Sequence, residues 1–69
     1  MSAIYTATAT HEGLNFSGNG ATDDEAVKAA MANLKAVWSI NTNRAVLVVC
    51  LGDQIQYTTT AGKYEVATR

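Results

Sequence analysis

The chain holds one thiol and one imidazole, Cys50 and His11, the side chains nearest in type to nucleophilic or metal chemistry. A cysteine nucleophile needs a polar, electropositive setting that stabilises its thiolate, and a base within hydrogen-bond reach. Cys50 stands instead in the apolar run Val48-Val49-Cys50-Leu51, and His11 stands beside Glu12-Gly13, with nothing to tie the two together. The residues therefore read as a core cysteine and a surface histidine near a turn. Zinc normally takes four ligands, and one histidine with one cysteine do not make such a site. Acid–base work needs two carboxylates facing a cleft. Asp23, Asp24 and Glu25 are consecutive and fit the start of a helix, and Asp53 fits a turn. The segment Ser17 to Thr22 also opens that helix, where free backbone amides can hold phosphate. It lacks the lysine and spacing of a P-loop, and the three acids that follow repel an anion. Trp38, Tyr57 and Tyr64 can line a small-ligand pocket, although rings in so small a domain more often form its core. No catalytic set, metal site or cofactor site emerges, and the expectation is a protein that is not an enzyme.

The elements that carry these residues follow from periodicity. Ala3 to His11 alternates with Thr6, Thr8 and Thr10 on one side, which is strand spacing. Glu12-Gly13 then serves as a two-residue hairpin loop, and Leu14 to Ser17 alternates again. This register sets Ala9 opposite Phe16 and puts Tyr5, Ala7, Leu14 and Phe16 on one face. Gly18-Asn19-Gly20 reads as a flexible break. Thr22-Asp23-Asp24-Glu25 is a capping box, with acids that complement the helix dipole. The helix is expected to run to Trp38 or Ser39, with Val27, Ala30, Met31, Leu34, Val37 and Trp38 on its apolar stripe and an Asp24–Lys28 pair on its wet face. Ser39 to Arg44 is a polar connector in which Asn41 and Asn43 suit a left-handed cap.

Ala45 to Leu51 is apolar throughout. Gly52-Asp53 closes a second hairpin onto Gln54 to Thr60, and Ala61-Gly62 reads as a turn before a last strand, Tyr64 to Thr68. The expected fold is α+β in the order ββαβββ, an antiparallel sheet of four to five strands with one helix packed on a face, forming a single domain over residues 1–69. Stacking the registers puts Val46, Val48, Cys50, Ile55, Tyr57, Tyr64 and Val66 on one face, and Leu47, Val49 and Leu51 on the other. One helix covers one face, and a strand apolar on both sides wants both covered. Either the N-terminal hairpin folds around to cover the second face, or Leu47, Val49 and Leu51 meet a second copy; self-association through these three residues, in an isologous dimer, is the expectation.

Composition points the same way. A chain of 69 residues buries only about 60% of the surface that its unfolded form exposes. Such chains usually need a staple, and with one cysteine and no zinc set the one left is oligomerisation. Net charge is −1, and the five basic residues (Lys28, Lys35, Arg44, Lys63, Arg69) are scattered, which is not the footprint of nucleic-acid binding. No stretch approaches the roughly 20 apolar residues of a membrane span. The opening Met1-Ser2-Ala3-Ile4-Tyr5 lacks the pattern of a secretory signal, and a lone cysteine fits a reducing compartment, so a cytoplasmic location is expected.

Between Gly13 and Val37 the chain resembles the HicB-like antitoxins, a truncated relative of the double-stranded-RNA-binding fold. The resemblance rests on a strand, a turn with glycine, and Gly20-Ala21-Thr22-Asp23-Asp24-Glu25-Ala26 opening a helix that continues through Asn33 and Leu34. It departs from that family in lacking a proline before the helix and in a longer final strand pair. The resemblance implies a protein-inhibiting module. Three functions stand as expectations. The first is a non-catalytic binding module that oligomerises and blocks or tethers a partner protein, in the manner of small phage or mobile-element inhibitors. The second is a small-ligand carrier or sponge with a pocket at a subunit boundary lined by Trp38, Tyr57 or Tyr64. The third is a HicB-like antitoxin.

Overall fold

The structure is a computed structural model that describes residues 4–38 and 42–67. Two strands, β1 (Tyr5–His11) and β2 (Leu14–Gly20), precede the helix α1 (Asp23–Val37). A 3-10 turn over Thr42–Arg44 leads into β3 (Val46–Leu51) and β4 (Gln54–Thr60), and a second helix, α2 (Ala61–Ala67), follows at once. The strands form one antiparallel sheet in the order β2-β1-β3-β4. No helix among the described residues is long and apolar enough to cross a membrane.

The first hairpin has the expected register, Ala9 opposite Phe16 and His11 opposite Leu14. Its loop takes positive φ at both residues, 52° at Glu12 and 78° at Gly13, the geometry that matches the twist of the flanking strands. β2 does not break at Gly18. It runs on to Gly20, and the two glycines are where α1 comes closest to the sheet. A Cβ on Gly18 would stand 2.5 Å from Ala29 Cβ, and one on Gly20 would stand 2.5 Å from Glu25 Cβ. Glycine is present here because there is no room for a side chain.

Thr22 caps α1 as its sequence indicates, accepting the Glu25 amide at 3.2 Å, while the Glu25 carboxylate reaches back to the Ala21 amide at 3.0 Å. The buried stripe is Ala26, Val27, Ala30, Met31 and Leu34. Val37, expected on that stripe, is 61% exposed because the helix ends there, and Trp38 closes it by donating its backbone N–H to Leu34 O at 2.8 Å. Asn33 donates to Ser17 O at 2.7 Å and fastens the helix to strand β2. The left-handed cap expected at Asn41 lies outside the described residues, and Asn43 sits in the 3-10 turn without positive φ.

Further corrections concern β3, β4 and the last strand. The first concerns β3. Leu47 and Val49 are fully buried on the inner face of the sheet, opposite Ala9 and Ala7, so neither has surface to offer a second copy. Leu51, opposite Tyr5, is half-buried on the same side. A run apolar on both sides has no period with which to choose its inner face. The second concerns β4, where a register shift between Val49 and Cys50 leaves Gln56 without a cross-strand partner. This brings Tyr57 opposite Val49, onto the inner face, whereas an unbroken ladder would have put it with Val48. The third is the last strand, which is the helix α2, with Thr68 of the expected strand outside the described residues. Thr60 caps α2 by accepting the Lys63 amide at 3.3 Å, and the Ala61 amide donates to Ala45 O at 2.9 Å. Ala61 is thereby buried and Tyr64, one turn on, packs against the core. Both helices share the inner face.

The core is thin. Of its buried apolar residues, Ala7, Ala9, Ala26, Ala30, Ala45 and Ala61 carry one methyl each, and Leu34, Leu47, Val27 and Val49 are the largest that are fully enclosed. Complete burial of one such leucine or valine contributes roughly 1.5–3 kcal/mol. Gly18→Ala should overpack the helix contact and cost about 1–3 kcal/mol, read as a lowered melting temperature. Leu47→Asp should unfold the chain rather than dissociate it, because an unpaired carboxylate cannot sit in the closed inner core. A folded Leu47→Asp variant by circular dichroism would contradict the assignment of β3.

Candidate functional site

With α1 and α2 on one side, the other face of the sheet bears neither helix. Register assigns its residues. Thr6, Thr8 and Thr10 of β1 stand opposite Asn19, Ser17 and Asn15 of β2 on one flank and opposite Cys50, Val48 and Val46 of β3 on the other. β4 adds Thr60, Thr58 and Ile55 opposite Val46, Val48 and Cys50. Not one of these twelve positions carries a charge. The charged side chains of the described residues lie instead at the hairpin loops (Glu12, Asp53), in the 3-10 turn (Arg44) and on the two helices.

The face is graded from polar to apolar. On the β2–β1 side the side chains pair with one another, Thr6 donating to Asn19 Oδ1 at 3.0 Å and Thr10 to Asn15 Oδ1 at 2.8 Å. On the β3–β4 side lie Val46, Val48, Cys50 and Ile55, with Val46 40% and Ile55 66% exposed. Sheet faces that meet only water usually alternate to polar residues along every strand. Here β3 presents none.

A second feature lies between α1 and α2. Tyr64 donates to Asp24 Oδ1 at 2.7 Å, and Tyr57 donates to Asp23 Oδ2 at 3.0 Å. Lys28 pairs with Asp24 at 2.9 Å, and Lys35 with Glu65 at 3.6 Å. These links tie α2 and β4 to α1 around a groove of about 380 Å³ whose floor includes Val27, Met31 and Tyr64. The Tyr64 hydroxyl and, after it, the Lys28 ammonium hold the Asp24 carboxyl below its ordinary range. Burial, followed by the hydrogen bond to Asp23, pushes Tyr57 up to about 12, and burial with the Asp24 bond also raises Tyr64. The acids at the start of α1 thus act as hydrogen-bond acceptors for tyrosines as well as complements to the helix dipole.

The residues singled out by sequence scatter across these features. Tyr64 lines the groove, while Tyr57 reaches Asp23 from the inner face of β4. Trp38 lies apart from both, its ring meeting His11 edge-on at 5.3 Å. His11 is buried rather than superficial, 7% exposed, because it continues the inward parity of Ala7 and Ala9. Cys50 is half-buried on the helix-free face, not in the core beneath α1. Cys50 and His11 therefore point to opposite sides of the sheet. Among the described residues, no three His, Cys, Asp or Glu side chains gather closely enough to hold a metal ion. The helix-free face was missed in the sequence, although the charge-free pattern of Thr6-Thr8-Thr10 beside Val46-Val48-Cys50 was there to be read.

Comparison of the chain with protein-family models, curated proteins and solved structures returns no match.

The tyrosine links have a pH signature. A tyrosine whose folded pKa lies above its unfolded value of about 10 stabilises the fold fully below that pH and loses the contribution as pH rises through the folded value. For Tyr57 the loss should fall between about pH 10 and about 12. Asp24, with a lowered folded pKa, contributes above the usual carboxylate range and loses its contribution as pH falls. Tyr57→Phe should flatten the alkaline fall in melting temperature, and Tyr64→Phe should weaken the acid arm as well. Alkaline profiles identical to that of the parent in both variants would show that the links carry no free energy.

Proposed function

We propose that this chain is a non-catalytic binding module that docks a protein on the helix-free face of its sheet, and that it blocks or tethers its partner by covering it. One observation carries the reading. Twelve positions spread over four strands are uncharged, and those on β3 and β4 include partly exposed Val46, Val48, Cys50 and Ile55. A contiguous apolar patch bordered by polar residues is the composition of a contact surface, with an apolar centre and a hydrogen-bonding rim. The Thr–Asn pairs favour docking, since hydroxyls already bonded within the chain lose less on dehydration. A reducing, cytoplasmic setting suits a face that displays a free thiol at Cys50. On the HicB-like reading, the docked protein is a cognate toxin.

A second reading rests on the groove between α1 and α2, which takes a small ligand over Met31 and Tyr64 with Lys28 and Lys35 at its rim. Its volume of about 380 Å³ lies near the lower end of the usual range of ligand pockets. The polar groups around it already pair with one another, so the open face has the stronger claim.

A photoreactive residue placed at Val48 should cross-link the chain to a protein in its native host, whereas the same residue at Ala36, on the exposed side of α1, should not. Adducts from Ala36 with none from Val48 would overturn the docking assignment.

A further inference from the structure

We infer that the occupant of the helix-free face is a second copy of this chain, packed face to face about a two-fold axis near Thr8 and Val48. The inference rests on the docking reading above: the second copy covers the face in the isolated protein, and a partner protein docks there by displacing it. Four observations lead to it.

The first is charge. A two-fold contact brings a surface against itself, so any charge near the axis meets its own kind. This face carries none at its twelve positions, while both helices carry several, so self-pairing is electrostatically neutral only here. The second is chemistry at the axis. Thr8 and Val48 are cross-strand neighbours on the two central strands, and a two-fold axis that lies between the two sheets and runs across the strands sets β3 over its mate's β3, with Val48 against the apolar side. Val46, Cys50 and Ile55 surround that centre, and the already bonded Thr6–Asn19 and Thr10–Asn15 pairs sit toward the β2 border.

The third is area. Four strands about 4.8 Å apart, each with six or seven residues rising about 3.3 Å, give roughly 400 Å² of plan area per copy. Two such faces give about 800 Å² in plan before side-chain relief is added, and a specific interface should clear about 1,000 Å². The fourth is what the edges forbid. A sheet can also grow by pairing edge strands, but Asn33 already occupies the Ser17 carbonyl of edge strand β2, and edge strand β4 is bulged at Gln56. Bulged or occupied edges resist strand addition and leave the face as the route to association. The thin, alanine-rich core supplies the need for such a staple.

Sedimentation velocity over a protein dilution series tests the proposal, with the rate of Cys50 alkylation as a second reading. The parent chain should pass from 7.3 kDa to twice that mass as concentration rises. Alkylation of Cys50 should slow at least several-fold over the same range. Thr8→Arg, which puts two like charges at the axis, should remain monomeric with concentration-independent alkylation, and its circular dichroism should match that of the diluted parent. Val48→Thr, a near-isosteric change, should weaken association in the same direction, and Ala36→Arg should leave it unchanged. A parent chain that stays monomeric, with Cys50 equally reactive at every concentration, overturns the second copy as occupant; the Val48 cross-link to a different protein would still stand by itself. A dimer that persists in Thr8→Arg with Cys50 open places the contact elsewhere and likewise overturns the second copy as the occupant of this face.

Discussion

Everything in this fold follows from how closely α1 approaches the first hairpin. Gly18 and Gly20 have no Cβ, Ala7 and Ala9 have one methyl each, and Ala26 and Ala30 answer them from the helix. Small residues on both sides let the helix backbone settle against β2 and β1 at a distance that any larger residue would prevent. The contact fixes which side of the sheet is inside, since only the face with the glycines can accept the helix. It also limits the free energy available, because alanine and glycine bring little apolar surface to bury. The fold is specified tightly at this contact and stabilised modestly by it.

The placement of α1 over one half of the sheet leaves the inner side of β3 and β4 to be closed by other means. Leu34 and Val27 reach Leu47 and Val49 within one buried cluster, and α2 folds back from the end of β4 to bring Tyr64 beside it. The tyrosine hydroxyls would be costly in that position without acceptors. Asp23 and Asp24 supply them from the first turn of α1, so the residues that complement the helix dipole also join the two halves of the inner layer. Because both helices are committed to one side, the sheet's other side bears neither. Its lack of charge is the consequence that bears on function.

Much of the local structure was legible in the sequence because short-range chemistry determines it. The Glu12-Gly13 loop sets the first register, the capping box sets the start of α1, and Asp24 with Lys28 forms the pair that helical spacing predicts. What was illegible depended on choices that period cannot make. Val46 to Leu51 is apolar at every position, so alternation could not say which side faces α1, and the bulge opposite Val49 and Cys50 left no mark in the sequence. Tyr64 and Val66 alternate as a strand would, yet Thr60 caps them into a helix. The Tyr57–Asp23 and Tyr64–Asp24 bonds join residues 34 and 40 positions apart, and no local pattern announces them. His11 was the avoidable miss, since it extends the inward series of Ala7 and Ala9 by one step.

The central claim is that α1 and the glycine-bearing face of the sheet enclose Leu47 and Val49, leaving the opposite side of β3 outside. Methyl relaxation by a soluble paramagnetic agent, read residue by residue, tests it most directly. Val37, 61% exposed at the end of α1, provides the reference for an open methyl. The account predicts that the methyls of Leu47 and Val49 are nearly unaffected while those of Val37 relax strongly. Methyls of Leu47 or Val49 that relax as fast as those of Val37 would show that β3 faces the other way, and the account of the fold and of its open face would fail together.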